Sequence, residues 1–121
     1  IVGRIIEAGN SVTQYRVGQR VTIDPNLKCG LCRPCKRGKQ NHCENWTTIG
    51  IFQDGGFAKY VVVPQKALHL VSDNVPLKDA IWIELLSCII GSTDRISIQP
   101  GQTAAVIGAG PAGLLHALMF Q

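Results

Sequence analysis

The chain has 121 residues, of which 45% are apolar, enough for one ordinary domain core. It contains no uncharged apolar run of about 18 residues that could span a bilayer, no internal repeat, no low-complexity tract and no signal-peptide pattern. The formal net charge is +4, and five cysteines, an odd number in a chain without a secretory signal, argue against a disulfide framework and for a reducing, cytoplasmic setting.

Residues 1–70 read as short strands, Val2–Glu7, Arg20–Asp24, Phe57–Val63 and Ala67–Val71. Turn signals at Gly9-Asn10, Gly18, Gly55-Gly56 and Pro64 separate them. In the third run Phe57, Lys59, Val61 and Val63 alternate with Ala58, Tyr60 and Val62. One face is therefore expected to pack inward, with Lys59 at an edge.

Between these strands lies an excursion, residues 28–45, with no apolar periodicity. It carries Cys29, Cys32, Cys35 and Cys43 in a C-x2-C-x2-C-x7-C spacing, close enough to wrap one tetrahedral ion. Four thiolates with no open position describe a structural zinc site, in which the ion supplies the order that a core otherwise would. A ferredoxin-type iron–sulfur run begins with the same spacing but continues with three residues, a fourth Cys and Pro. Here the gap is seven residues and Glu44 follows. His42 is the nearest alternative ligand, but four sulfurs already complete the tetrahedron.

Lys28, Arg33, Lys36, Arg37 and Lys39 crowd this loop. Loading zinc would remove four thiol protons and add two charges, lowering the formal charge from +4 to +2, so the bases offset a site whose own charge is −2. A nucleic-acid patch is the competing reading, but only Trp46 accompanies the basic run and no nucleic-acid-binding signature does.

From Pro76 to about Ile96 the sequence predicts a helix, with Leu77, Ala80, Ile81, Leu85, Cys88 and Ile89 recurring at three and four residues. Cys88 is expected to be a small core residue. Pro100-Gly101 makes a turn, and Thr103–Ile107 reads as a buried strand. Gly108, Ala109, Gly110, Pro111, Ala112 and Gly113 then match G-x-G-x-x-G, and an apolar helix follows from about Pro111. In that context the pattern points to a pyrophosphate on the helix N-terminus of a nucleotide-binding βα unit. Flavoproteins use a similar opening, and a ligand-free tight turn is the plainer alternative. His69 and His116 have no companion ligand at a useful interval, and ordinary packing accounts for both.

The order of the four cysteines, Asp54-Gly55-Gly56-Phe57-Ala58-Lys59-Tyr60, Glu84-Leu85-Leu86-Ser87-Cys88, Pro100-Gly101-Gln102 and the glycine motif resembles the zinc-containing medium-chain dehydrogenases, particularly their sorbitol and threonine dehydrogenase-like branch. The resemblance extends over essentially the whole chain. It implies a mixed β and α/β fold: residues 1–75 as part of a GroES-like β-barrel domain with a zinc lobe, 76–100 as a helical connection, and 101–121 as the start of a Rossmann NAD(P)-binding domain. It also implies oxidation of an alcohol or polyol, with hydride passing to NAD(P), in a homo-oligomer that engages neither nucleic acid nor membrane. Glu84 is the one candidate active-site residue, near a second, catalytic zinc or its proton relay, although Leu85 stands where that branch usually has Pro. The ligands of that second zinc are expected to lie outside this chain, which reads as a segment of a longer protein, zinc-binding but inactive alone. A non-catalytic zinc-binding interaction module is the alternative.

Overall fold

A computed structural model describes all residues from Ile1 to Gln121. Its centre is β2 (Arg20–Ile23), flanked by β1 (Val2–Arg4) and β5 (Leu68–Leu70) in an antiparallel three-stranded sheet. Val2 lies opposite Thr22 on one side, and Thr22 lies opposite His69 on the other. As the middle strand, β2 is covered on both faces, so Arg20, Val21, Thr22 and Ile23 are all buried. A second, two-stranded sheet pairs β3 (Asn26–Leu27) with β4 (Thr47–Thr48). Ile23, Leu27, Ile49 and Ala67 form the apolar centre between the two sheets, with Val61, Val63 and Leu68 packed against it.

The segment between β3 and β4 makes one helical turn, α1 (Arg33–Lys36), with Pro34 in its first turn, and a 3-10 turn at Gln40–His42. Beyond β5, α2 (Leu77–Ala80) and α3 (Ile83–Thr93) lead to α4 (Pro111–Met119), which packs against α3. Only 13 of the 121 residues are buried, so the apolar core alone is too thin to order the lobe at 28–45.

Several expectations are corrected. The two small sheets do not close into a barrel. Phe57–Val63 is not a strand, because no neighbouring segment offers it a hydrogen-bonded partner. Its alternation survives in part: Val61 and Val63 pack inward and Val62 points out, but Phe57 is exposed. Thr103–Ile107 likewise lies outside any sheet and is exposed, so the βα unit is represented by its turn and helix alone. The helical stretch is broken between Ala80 and Ile83 and ends at Thr93. Cys88 faces solvent instead of the core, as do Leu77 and Ile81; on that stretch Ala80 and Ile89 are buried, and Ile83, Leu85 and Leu86 are half-buried.

Candidate metal centre

The lobe gathers Cys29, Cys32, Cys35 and Cys43 with all four sulfurs within 4.8 Å of one another. Each element has a part in this. Cys29 follows β3, Cys32 caps α1, Cys35 sits inside α1, and Cys43 closes the 3-10 turn. The Leu31 and Cys32 amides both donate to Cys29 Sγ at 3.4 Å, and the Cys29 amide donates to Cys43 Sγ at 3.3 Å. The two N–H groups that converge on Cys29 Sγ favour its thiolate.

The spacing fits an ion. Metal–sulfur bonds of about 2.3 Å in a regular tetrahedron give sulfur–sulfur edges of about 3.8 Å. Cys32 Sγ and Cys43 Sγ are 3.9 Å apart, nearly twice a disulfide bond of about 2.0 Å, and all five cysteines are free. The thiols also show what is missing electrostatically. The two peptide N–H groups lower the Cys29 thiol to about 6, whereas burial, reinforced by hydrogen bonds from the other thiols, pushes Cys35 up to about 12. Four thiolates cannot occupy this volume together without a cation among them. His42 is exposed and stands outside the set, as expected.

Asp24 and Lys28 brace the base of the lobe as an ion pair across β3, and Asp24 Oδ1 also accepts the Asn26 amide at 2.9 Å. Burial pushes the Asp24 carboxyl up, but Lys28 and the Asn26 amide outweigh it and hold it below its ordinary value. Lys66 Nζ donates to the Lys28 carbonyl at 3.0 Å and ties the lobe to the turn before β5. Spacing alone gave no signal for this brace, because Lys66 and Lys28 are far apart in sequence.

Away from the lobe, an open cleft of about 820 Å³ lies between the start of β1 and the 49–60 loop. Glu84, half-buried in the first turn of α3, lines it together with Asp54, Phe57 and Tyr60. Asp54 entered the sequence reading as part of a motif, and Phe57 and Tyr60 as motif and strand residues, none of them as a cleft residue. The glycine pair beside them carried the usable signal. A Cβ on Gly55 would sit 2.6 Å from Gly50 Cα, so the loop folds closely on itself only with glycine there.

The glycine motif forms its turn. Gly108 has φ +110, open only to glycine at low cost, and Gly110 caps α4. A Cβ on Gly113 would lie 1.9 Å from the Gly108 carbonyl oxygen, so the helix meets the preceding segment too closely for any side chain there. The Gly110 Cβ position has nothing within 4 Å, leaving the backbone open to a ligand.

Comparison with known proteins agrees with these features. The alcohol dehydrogenase GroES-like domain matches residues 1–73. An uncharacterized zinc-type alcohol dehydrogenase-like protein of Haemophilus influenzae is 39% identical over 119 residues, covering 98% of this chain and 35% of that protein. Sorbitol dehydrogenase of Bacillus subtilis is 37% identical over 114 residues, covering 93% and 32%. Among solved structures, an alcohol dehydrogenase of Escherichia coli complexed with NADH superposes with a TM-score of 0.90 at 36% identity, covering 98% of this chain and 35% of that one. The chain thus spans about a third of the length of the curated relatives it matches.

Proposed function

Starting from the fact that the chain belongs to the alcohol dehydrogenase GroES-like domain family, we propose that it is the zinc-stabilised portion of a dehydrogenase that passes hydride from a secondary alcohol or polyol to NAD or NADP. The observation that carries this reading is the set of four convergent sulfurs within a chain matched almost end to end by zinc-type and polyol dehydrogenases. A stand-alone interaction module is disfavoured, since the resemblance runs past the lobe through the cleft and the glycine turn.

Within that function, Cys29, Cys32, Cys35 and Cys43 hold a structural zinc that stabilises the lobe and takes no part in chemistry. Glu84 is the carboxylate of the substrate cleft, placed to hold or relay a proton from a substrate hydroxyl. The turn Gly108–Gly113 and the N-terminal amides of α4 receive the coenzyme pyrophosphate. A catalytic zinc would polarise the alcohol oxygen as a Lewis acid in the complete protein. Among these 121 residues the four cysteines are the only cluster of such ligands, so the chain alone is proposed to bind zinc without turning over an alcohol. A cytoplasmic location accords with a thiol cluster kept reduced. The complete protein is proposed to assemble as a homo-oligomer.

The test is direct. The complete protein, purified with zinc, should reduce NAD or NADP with sorbitol or a related polyol, while the 121-residue chain binds zinc and shows no turnover. Absence of turnover by the complete protein across polyols and secondary alcohols with both coenzymes would refute the assignment.

A further inference from the structure

The peptide group that joins Lys28 to Cys29 is held from both sides. Its carbonyl oxygen accepts from Lys66 Nζ at 3.0 Å, and its N–H donates to Cys43 Sγ at 3.3 Å. In a trans peptide these two bonds point in opposite directions, so Lys66 and Cys43 lie at the two ends of one polar group. The contacts run from ammonium to carbonyl, through the amide, to sulfur. A cation on the carbonyl draws electron density toward the oxygen and leaves the N–H a stronger donor.

Cys43 depends on that bond. It is buried, and the Cys29 amide is the one peptide N–H that reaches its sulfur, whereas Cys29 Sγ accepts two, from Leu31 and Cys32. A thiolate that accepts a hydrogen bond is stabilised and is a poorer nucleophile.

Both partners of the Lys66 bond are anchored on Asp24. Lys66 belongs to the 3-10 turn Gln65–Ala67, whose Ala67 carbonyl accepts the Asp24 amide at 2.8 Å. The Asp24 carboxylate pairs with the Lys28 side chain. Arg33, Lys36, Arg37 and Lys39 are exposed on the lobe and lie off this line of contacts, so they reach the sulfurs only through screened charge.

We propose that Lys66 is a positioning residue for the metal centre, acting from outside the lobe through the Lys28–Cys29 peptide on Cys43. It strengthens the hydrogen bond to the Cys43 thiolate and so keeps that ligand on the ion. The proposal rests on the zinc reading of the four cysteines.

The test uses the complete protein loaded with zinc. A limiting dose of iodoacetamide is applied, and the label on each lobe cysteine is measured by peptide mass spectrometry, with and without a chelator. Chelation should open all four wild-type cysteines to label. In Lys66→Met the share of label on Cys43 in the zinc-loaded protein should rise roughly threefold, less than the tenfold or more of an enclosed outer-shell partner, because Lys66 is exposed. Lys66→Arg, which keeps a cationic donor, should restore the wild-type share. Lys39→Met, which removes an equal charge from the lobe, should leave it unchanged. An unaltered share in Lys66→Met, or no recovery in Lys66→Arg, overturns the proposal. So does an equal rise at all four cysteines, the mark of a merely loosened lobe, or an equal effect in Lys39→Met, the mark of unspecific charge. If chelation leaves wild-type labelling as it was, the zinc reading itself fails, and the proposal with it.

Discussion

Arg20 Nη2 donates to the carbonyl oxygen of Val75 at 2.6 Å, reaching from the middle strand to the loop that launches α2. Its Nη1 adds the carbonyls of Ser72 at 3.4 Å and Asp73 at 3.2 Å, and the exposed Asp73 carboxylate lies 3.8 Å away. A buried guanidinium therefore fixes the direction in which the chain leaves the sheet. Arg20→Ala should leave three carbonyls short of a donor and cost about 2–4 kcal/mol in denaturant unfolding. Asp73→Asn should cost under about 0.5 kcal/mol, because that pair is exposed on the acid side. Equal losses in both variants would mean the ion pair, and not the carbonyl cap, matters.

Removing the metal should loosen the lobe first. Structural zinc in small lobes contributes on the order of 10 kcal/mol of binding free energy that is also folding free energy. A chelator should raise amide exchange across residues 28–45 before β2 or α3 responds, and Cys43→Ser should reproduce that effect, since Cys43 is buried and accepts the Cys29 amide. Elemental analysis should find about one zinc per wild-type chain and much less in the variant.

Zinc uptake should release protons and strengthen as pH rises. Cys29 already loses its proton near 6, but Cys35 in the metal-free lobe holds its proton to about 12, so the metal must displace it. Competition titrations with a colorimetric chelator at several pH values would measure the slope, and a flat profile would argue against thiolate ligation.

The Asp24–Lys28 brace should show on the acid side. Folding lowers the Asp24 pKa below its ordinary 3.8. Its contribution is therefore complete above that ordinary value and disappears as pH falls through the depressed one. Lys28→Met should weaken the fold at neutral pH and flatten its loss of stability in that acid window, as followed by thermal unfolding.

Two glycines separate structure from ligand contact. Gly113→Ala places a methyl 1.9 Å from the Gly108 carbonyl and should dislodge α4. Gly110→Ala meets nothing within 4 Å at an ordinary φ of −77, so the fold should survive. A pyrophosphate approaching that backbone would nevertheless be obstructed, and coenzyme affinity should fall by about tenfold or more. Unchanged affinity in Gly110→Ala would place the ligand elsewhere or nowhere.

The four-cysteine spacing was readable because its ligands lie within 15 residues, so local turns alone can gather them. The glycine turn was readable for the same reason. Thr103–Ile107 was not, since β-branched composition proposes a strand but only a neighbouring backbone completes one. Cys88 misled because a helical period marks a stripe without saying how much of it meets another surface.

By itself, then, the sequence determined what depends on near neighbours: the cysteine cluster, the glycine turn, and the positions of β1, β2, β5 and α4. Tertiary structure alone decided the contacts between distant residues, which put Glu84 at a cleft beside Asp54 and Tyr60, Arg20 under Val75, and His116 against Ser92. The reason is physical: geometry within a few residues follows from backbone dihedrals, whereas meetings across tens of residues depend on which surfaces find apolar cover and hydrogen-bond partners.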